Sequence, residues 1–431
     1  SKPMAYKKST YRPRIIDDLL RQQLAAVGAV LIEGPKQCGK TTSAEAASNS
    51  QLYMSDPTNL TRNLTLARLK PNLLLQGSTP RLVDEWQIAP ELWDTARFEI
   101  DHRGKVGQFI FTGSAVPADR SKIFHSGTGR FAWLKMRTMS LFESGESNGQ
   151  VSLRELFDGH LDIACTNDYD LEAVAFMACR GGWPAALELS KQAALLHATN
   201  YCDAIINTDI SRVDGIERNP DQTRRLLRSY ARNQGSQTPI SALIQDMQLV
   251  NSDAANRRTV SSYLNALQQI FVIEDLKAWN PNLRSKTAIR TSDTRYFSDP
   301  SLCAAALGIG PHDLVLHPET FGFIFETLCI RDLRVYADAL DGEVYHYRDK
   351  NNLECDAVLH RRNGSFGLIE IKLGGDAAVE HGASTLRMLA AKIDVEKMGN
   401  PSFLMVLTAV GDFAYQREDG VLVVPICCLR D

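Results

Sequence analysis

The sequence predicts an α/β protein of more than one domain, with a parallel sheet near its N-terminus. Between Arg14 and about Phe142, apolar runs of strand length alternate with helix-forming segments, a pattern typical of a parallel sheet wrapped by helices. The 431 residues exceed one compact core, and ~150 residues per domain suggests about three domains. Beyond residue 150 the apolar periodicity changes twice, which predicts further domains of different build.

Composition excludes some classes of protein. The formal net charge is -3, so the chain as a whole has no strong attraction to nucleic acid or to a membrane surface. The nine cysteines are scattered and lack CxxC or Cys/His metal spacing, which predicts a reduced, intracellular protein. The sequence has neither a signal-peptide core nor an apolar run long enough to span a bilayer. We therefore expect a cytoplasmic location and no membrane partner.

The elements of the first domain, 1–150, follow from four apolar runs. These predicted strands are "GAVLIEG", "QLYMSD", "RLVDEW" and "GQFIFTGS". The next segment, 151–213, has apolar positions at helical spacing, with breaks at Gly181-Gly182 and at Pro184. We interpret it as a small helical lid.

Residues 214–310 predict a winged-helix-like domain. Three helical segments, "PDQTRRLLRSYARNQ", "PISALIQDM" and "NRRTVSSYLNALQQI", precede two extended segments, "FVIEDLKAW" and "KTAIRTSDTRYFSD".

Residues 311–431 have a different order of predicted helices and strands. A helix, a strand, two strands joined by the turn "NGS", a second helix and two apolar strands predict a further α/β domain.

The first of these predicted strands runs into a glycine-flanked loop. Gly34, Gly39, Lys40 and Thr41 fit the pattern GxxxxGK[ST], in which backbone amides and a helix N-terminus surround the phosphates of a nucleotide. Lys40 would pair with the β- and γ-phosphates of ATP, and the Thr41 hydroxyl would ligate Mg²⁺. The expected cradle is Gly34, Pro35, Lys36, Gln37, Cys38, Gly39, Lys40, Thr41 and Thr42.

Adjacent acids end the strand "RLVDEW". Asp84 is the candidate metal ligand, and Glu85 is the candidate base that polarises the attacking water. The alternative is a surface acid pair at the start of a helix.

The strand "QFIFTGSA" ends in hydroxyl residues. Thr112 and Ser114 are placed where parallel sheets carry ligand contacts, so one of them is a candidate γ-phosphate sensor. The alternative is a β-turn around Gly113.

Arg130 follows a glycine turn in "HSGTGRFAWLKMR". It is a candidate arginine finger directed at a neighbouring subunit, which makes a second copy of the chain a candidate partner. The alternative is an ordinary surface arginine.

The ordered motifs "GPKQCGKTT", "LVDEWQ", "FTGSA", "GTGR" and "MSLFE" resemble those of the prokaryotic AAA-type ATPases that carry a conserved C-terminal domain of unknown function. Further segments, among them "GGWPAAL", "GIERNP", "RLLRSYARN" and "FSDPSLCAAALG", extend the resemblance over nearly the entire chain. The resemblance implies an intracellular ATPase. The run before Asp84 departs from the family in having Pro80 and Arg81 where more aliphatic residues are expected.

The middle of the chain is basic. Between Ser211 and Arg290 there are twelve Lys or Arg and seven Asp or Glu, a local balance of +5. A positive winged-helix-like segment fits contact with the phosphates of double-stranded DNA, although winged helices also bind proteins. The candidate DNA-binding residues are Arg257 and Arg258 at the start of the recognition helix, and Arg284 and Lys286 in the "LRSKTAIR" wing.

The last domain carries acids and a lysine in a suggestive order. Asp356 lies fourteen residues before Glu370, and Lys372 points to the same strand face as Glu370 because side chains alternate with period two. With Glu326 on the preceding helix, these residues fit a metal-dependent phosphodiester hydrolase. The arrangement resembles the restriction-endonuclease-like fold, with Cys355 where such nucleases often have proline. The alternative is a solvated ion pair on a hairpin, and catalysis is not assured by the fold.

The complete prediction is a P-loop parallel-sheet ATPase domain with a helical lid, a winged-helix domain and a C-terminal α/β restriction-endonuclease-like domain. Its function would be Mg²⁺-dependent ATP hydrolysis coupled to binding of DNA or of a partner. The alternative is a nucleotide-gated protein-interaction switch without nuclease activity. A nucleotide kinase is less well supported, because the acid pair suits activation of water and no lid for a second substrate is evident.

Overall fold

The structure is a computed structural model, and it describes residues 11–115, 127–284 and 292–431. Its N-terminal part is a five-stranded sheet in the order β2-β3-β4-β1-β5, in which all neighbouring strands are parallel. The elements are α1 Ile16–Leu24, β1 Ala29–Glu33, α2 Lys40–Ala47, β2 Ser50–Tyr53, α3 Leu60–Leu69, β3 Arg81–Asp84, α4 Leu92–Arg103, β4 Phe109–Gly113, β5 Phe131–Lys135 and α5 Leu141–Ser144. All four predicted strands are present.

The sheet is covered on both faces, which explains the apolar run of its central strand. Side chains of β1 alternate between two core clusters, with Ala29 and Leu31 in one and Val30 and Ile32 in the other. Because parallel strands end at the same sheet edge, β1, β3 and β4 present their C-terminal residues to one region. That region contains the predicted phosphate loop.

The middle of the chain is mostly helical. Its elements are β6 Val151–Ser152, α6 Leu153–Phe157, β7 Ala164–Thr166, α7 Leu171–Arg180, α8 Lys191–Ala204, α9 Ile210–Arg212, α10 Pro220–Arg232, α11 Ile240–Asp246, α12 Asp253–Gln269, α13 Pro300–Leu307 and α14 Pro311–Leu316. The three expected helices α10, α11 and α12 are followed by two extended segments. Among the described residues of these two segments, antiparallel pairing is found at the single bridges Ile273–Phe297 and Leu276–Thr294.

The C-terminal part contains a seven-stranded mixed sheet in the order β7-β12-β13-β11-β10-β9-β8. Strands β8, β9 and β10 are antiparallel neighbours, whereas β10, β11 and β13 run parallel. The elements are α15 Pro318–Ala339, β8 Gly342–Arg348, β9 Glu354–Arg361, β10 Phe366–Lys372, α16 Asp376–Lys392, α17 Val395–Met398, β11 Phe403–Thr408, β12 Phe413–Gln416, β13 Leu422–Pro425 and β14 Leu429–Arg430.

Part of the expected lid lies with this C-terminal sheet. Strand β7 pairs with β12 at the sheet edge, and β6 pairs with β14 next to the last residues of the chain. The segment 151–166 therefore shares its hydrogen bonds with the C-terminal sheet, whereas the side chains that contact the phosphate loop are His197 on α8 and Asp209 after it. One continuous hydrophobic core joins α7, the middle helices and the mixed sheet.

In the three described ranges, no helix is both long enough and apolar enough to cross a membrane.

Candidate functional site

The loop between β1 and α2 requires glycine at two positions. Gly39 has φ +110, in the left-handed region, and a Cβ there would lie 2.7 Å from the Arg14 guanidinium nitrogen Nη1. A Cβ on Gly34 would lie 2.1 Å from the carbonyl oxygen of Met136. The main chain is thus held close to its neighbours, and α2 begins directly at Lys40. This is the geometry of a phosphate cradle in front of a helix N-terminus.

Lys40 lies at the centre of this loop. Its side chain is only 4% exposed. Its ammonium donates hydrogen bonds of 2.7 Å to the carbonyl oxygen of Gly34 and 2.6 Å to that of Pro35. The lysine side chain is therefore folded against the loop itself, at the place where it was predicted to bind the phosphates of a nucleotide.

The acidic end of β3 meets the start of α2. Asp84 is 5% exposed, and its Oδ1 accepts hydrogen bonds of 2.7 Å from both Thr41 and Thr112. Burial raises the pKa of Asp84, while the hydrogen bonds from Thr112 and Thr41 and the charge of Lys40 oppose that rise. Lys40, Thr41 and Asp84 thus share one site.

Glu85 is held in an uncommon backbone conformation. Its φ of 56 and ψ of 50 are left-handed, a conformation that costs free energy for a residue other than glycine and often occurs at functional sites. Its amide donates to Thr112 Oγ1 at 3.1 Å, and the Ser114 hydroxyl donates to its Oε2 at 2.6 Å. Gln87 also donates to Glu85 Oε2. The carboxylate is fixed by two side chains.

The hydroxyl residues at the C-terminal end of β4 thus contact the acid pair. Thr112 contacts Asp84 and Ser114 contacts Glu85, so each residue links β4 to the end of β3. Sequence reasoning had placed one of them at the γ-phosphate and had missed Gln87. The signal for Gln87 was present in "DEWQ", two residues after Glu85.

The tip of the loop contacts the segment that was predicted to be a helical lid. Lys36 forms an ion pair with Asp209 at 2.8 Å, and Gln37 Oε1 lies 2.9 Å from His197 Nε2 on α8. Sequence reasoning did not identify Asp209 or His197, because nothing in their spacing relates them to a loop more than 150 residues earlier. The segment from α8 to Asp209 therefore contacts the tip of the loop directly.

The other cradle residues differ in exposure. Cys38 is fully buried, whereas Thr42 is exposed on α2. Arg14, which no motif indicated, donates 2.6 Å to the carbonyl of Cys38 and 2.8 Å to the carboxylate of Glu143. Arg14 therefore ties the loop to α5, the helix that follows the parallel sheet.

Arg130 directly precedes β5 and lies at the N-terminal end of the parallel strands, whereas the phosphate loop lies at their C-terminal end. Its carbonyl accepts from the amide of Ala29, the first residue of β1, and its guanidinium pairs with Asp101 at 2.7 Å. Strand β1 separates that position from Gly34 by about 16 Å, at about 3.3 Å per residue. Arg130 therefore does not reach the loop of its own chain.

A second cluster lies on the C-terminal sheet. The amide of Asp356 on β9 donates to Glu370 Oε1 at 3.1 Å, and the amide of Ile371 donates to Asp356 Oδ2 at 2.8 Å. The Lys372 ammonium lies 3.5 Å from Glu370 Oε2. The predicted hairpin thus brings these three side chains together.

Glu326 on α15 completes the cluster. Burial and the nearby charge of Asp356 raise the pKa of Glu326 to about 8, and burial also raises the pKa of Asp356 and of Glu370. Tyr296, contributed by the middle domain and not anticipated from sequence, donates a hydrogen bond to Glu326 Oε1. Among the described residues, no three Asp, Glu, His or Cys side chains are close enough to hold a metal ion as they stand.

The predicted DNA-binding residues lie in two separate parts of the chain, and one of them is outside the described ranges. Arg257 and Arg258 are exposed on α12, where Arg257 pairs with Asp253 at 3.2 Å. Arg284 is exposed, and its amide donates to the carbonyl of Lys392 at the end of α16. Lys286 lies outside the described residues.

A fully buried ion pair connects the parts of the chain. Asp299, at the start of α13, pairs with Arg331 of α15 at 3.1 Å. It also accepts from the Thr138 hydroxyl at 2.6 Å and from the amide of Gly182 at 3.0 Å. Burial alone would raise the pKa of Asp299, but Arg331 and these hydrogen bonds hold it below its ordinary value. The network links the segment after β5 to Gly182 after α7 and to α15, the helix that carries Glu326.

The parallel sheet and its loop define an ATPase-like P-loop domain at the N-terminus. Comparison with known families agrees, since residues 27–144 match the AAA domain. Residues 321–429 match a domain of unknown function, DUF4143, and residues 171–313 match another, DUF8612.

Two mycobacterial proteins are similar over most of the chain. Uncharacterized protein Rv2008c of Mycobacterium tuberculosis and uncharacterized protein Mb2031c of Mycobacterium bovis are each 22% identical over 412 residues. The alignment covers 94% of this chain and 82% of each relative.

Proposed function

We propose that the chain is a Mg²⁺-dependent ATPase that couples its nucleotide site to binding of DNA or of a partner. The observation that carries this proposal is the meeting of Lys40, Thr41 and Asp84 at one point, with Glu85 beside them. A lysine, a hydroxyl and two adjacent acids at the front of a helix are the groups that ATP hydrolysis requires.

Each group has a distinct role in the proposal. The loop amides and Lys40 bind the β- and γ-phosphates, for which Lys40 exchanges its two carbonyl partners. Thr41 and Asp84 are the residues that would hold Mg²⁺, which supplies positive charge to the phosphate oxygens. Glu85, oriented by Ser114 and Gln87, accepts a proton from the attacking water.

The substitution Glu85→Gln tests this division of roles. It keeps the cradle and removes the base, so we expect nucleotide affinity within about threefold of wild type. Turnover should fall by about 10²–10⁴, the range for loss of a positioned general base. Fluorescent-nucleotide titration and phosphate release measure the two quantities. Unchanged turnover in Glu85→Gln would remove Glu85 from the mechanism.

Arg130 is proposed to act on the nucleotide of a neighbouring copy. Its position at the far sheet edge and its exposed side chain support that role. Arg130→Ala and Lys40→Ala should each be inactive alone, whereas a mixture should regain turnover because each copy supplies what the other lacks. Full ATP turnover by Arg130→Ala alone would show that Arg130 is an ordinary surface arginine without a role in hydrolysis.

We propose that the domain bounds run near 1–150, 151–213, 214–310 and 311–431, with 151–166 joining the last domain through β6 and β7. The buried pair of Asp299 and Arg331 supports coupling, because it joins the ATPase-like sheet, the lid and α15. Closure of the lid on the loop, through Lys36 and Gln37, would thus reach the C-terminal domain.

DNA is the proposed partner of a winged-helix-like middle domain, where Arg257 and Arg258 are exposed. The competing proposal is a switch in which nucleotide orders a protein-binding surface, and the loop-to-lid contacts of Lys36 and Gln37 favour it. Stimulation of ATP turnover by duplex DNA supports the first proposal. Turnover indifferent to DNA supports the second.

The acidic cluster supports a second candidate activity, metal-dependent cleavage of phosphodiesters. Three carboxyl groups with raised pKa beside one ammonium are typical of a site that binds a cation. Binding would require the carboxylates to move closer together. Nicking of plasmid DNA with Mg²⁺ or Mn²⁺, abolished by Asp356→Ala and by Lys372→Ala, would support cleavage. Absence of nicking would leave the cluster without nuclease activity.

A further inference from the structure

Helix α10 carries an arginine face that no motif or family match assigns. Arg224, Arg225, Arg228 and Arg232 are all exposed, while Leu226, Leu227 and Tyr230 of the same helix are buried. Residues four apart lie on one face and are about 6 Å apart along the axis. The helix therefore presents a row of guanidinium groups about 12 Å long.

This face has little acidic compensation. Arg224 pairs with Asp221 at 3.3 Å. Within the three described ranges, no ion pair joins Arg225, Arg228 or Arg232 to an acid. Two acids contact buried side chains of this part of the helix, since Asp246 accepts a hydrogen bond from Ser229 and Asp275 accepts one from Tyr230. Three uncompensated arginines are available to an anionic partner.

The chemistry of the face favours a phosphodiester backbone. All four cations are arginines, whose planar forks bind phosphate oxygens in a bidentate manner. The only aromatic residue of α10, Tyr230, is fully buried. Binding of single strands usually depends on exposed aromatic rings for base stacking. Membrane-surface helices combine basic residues with exposed apolar ones, which α10 does not offer.

The C-terminal end of α10 points towards the acidic cluster of the C-terminal sheet. Its C-terminus leads to Gly235, where φ is +72 and where a Cβ would lie 3.0 Å from Glu326 Oε1. The arginine row therefore runs towards the cluster of Glu326, Asp356, Glu370 and Lys372. We propose that the α10 face binds the backbone of duplex DNA and guides it to this cluster. The inference rests on the proposed function in that both name DNA as a partner.

The test measures binding of a labelled 30-base-pair duplex to the full chain by anisotropy, over a range of salt concentrations. In R225Q/R228Q/R232Q we expect at least a tenfold loss of affinity. The slope of log affinity against log salt should decrease by about 3, because each lost phosphate contact removes about 1. The variant R225K/R228K/R232K keeps the three positive charges, so it should retain most of the slope of log affinity against log salt.

A matched control removes three exposed arginines elsewhere. Arg62 and Arg68 on α3 and Arg362 after β9 are exposed, and R62Q/R68Q/R362Q changes the net charge by the same amount. It should bind DNA as wild type does. Equal losses in both triples would show a general charge effect and overturn the proposal. A slope lost only in R257Q/R258Q would overturn it in favour of α12.

Two further readouts separate this inference from the proposed function. ATP turnover without DNA should be unchanged in every arginine triple, since none of these residues contacts the nucleotide site. If R225Q/R228Q/R232Q hydrolyses ATP and binds DNA as wild type does, the inference about α10 is overturned and the proposed ATPase function stands. If the wild-type chain does not turn over ATP, the proposed ATPase function is overturned. Tighter binding of a 30-nucleotide single strand, or equal binding of phosphatidylserine vesicles, would also overturn the assignment to duplex DNA.

Discussion

The Thr41 hydroxyl donates a 2.7 Å hydrogen bond to Asp84, so the first turn of α2 and the last residue of β3 meet at one carboxylate oxygen. The same oxygen accepts from Thr112. This contact places the two predicted Mg²⁺ ligands side by side. It also indicates that Asp84 orients the Thr41 hydroxyl.

Asp84→Asn should impair use of Mg²⁺ more than binding of nucleotide. The amide removes a negative charge and leaves Thr41 less well oriented, so we expect the half-saturating Mg²⁺ concentration to rise about 10- to 100-fold. Turnover measured across a Mg²⁺ titration checks this. A curve that overlays wild type would place the metal elsewhere.

Ser114→Ala should lower turnover without changing the apparent affinity for ATP. It removes one hydrogen bond from Glu85, a loss of about 1 kcal/mol, which corresponds to roughly a fivefold lower kcat. Steady-state kinetics separate kcat from KM. A raised KM with unchanged kcat would instead indicate that Ser114 binds the nucleotide, as the sequence had suggested.

The acidic cluster predicts a pH-dependent stability. The pKa of Glu326 is raised to about 8 in the folded chain and is about 4.3 when unfolded. Between these values the folded state binds more protons, so ionisation of Glu326 costs stability as pH rises from about 4.3 to 8. In chelator, Glu326→Gln should therefore raise the melting temperature at pH 8 more than at pH 5.5. Equal shifts at both pH values would contradict the assigned pKa.

The pair of Asp299 and Arg331 should be essential for stability. Asp299→Asn leaves Arg331 buried with Asp332 as its remaining acidic partner, and loss of one partner of a buried pair costs about 3–5 kcal/mol. Denaturant unfolding of the full chain measures the change. Asp221→Asn, which breaks the exposed pair with Arg224, is the matched control and should be neutral. Similar midpoints for both variants would show that the buried pair does not stabilise the assembly of domains.

Local patterns predicted the parts of the fold and site that depend on neighbouring residues. The run from Ala29 to Thr41 specified a strand, a loop and a helix, because strand burial, glycine conformation and a helix start are all local properties. The hairpin of Asp356 and Glu370 was predictable for the same reason, since strand alternation fixes which side chains share a face.

Contacts between distant segments were not predictable. Arg14 binds the loop 24 residues later, and Asp299 joins Thr138 across 161 residues. Neither pairing has a spacing rule, since both depend on how complete domains pack. Strand β7 joined a sheet made of C-terminal strands for the same reason. The position of Arg130 at the far sheet edge required the register of β5 against β1.

The central claim is that Lys40 binds the phosphates of ATP at the start of α2. The most direct measurement is the ATP turnover of Lys40→Ala beside wild type, with circular dichroism as the control for folding. The account predicts a loss of at least about 100-fold with an unchanged spectrum. Turnover equal to wild type in a correctly folded Lys40→Ala chain would contradict it.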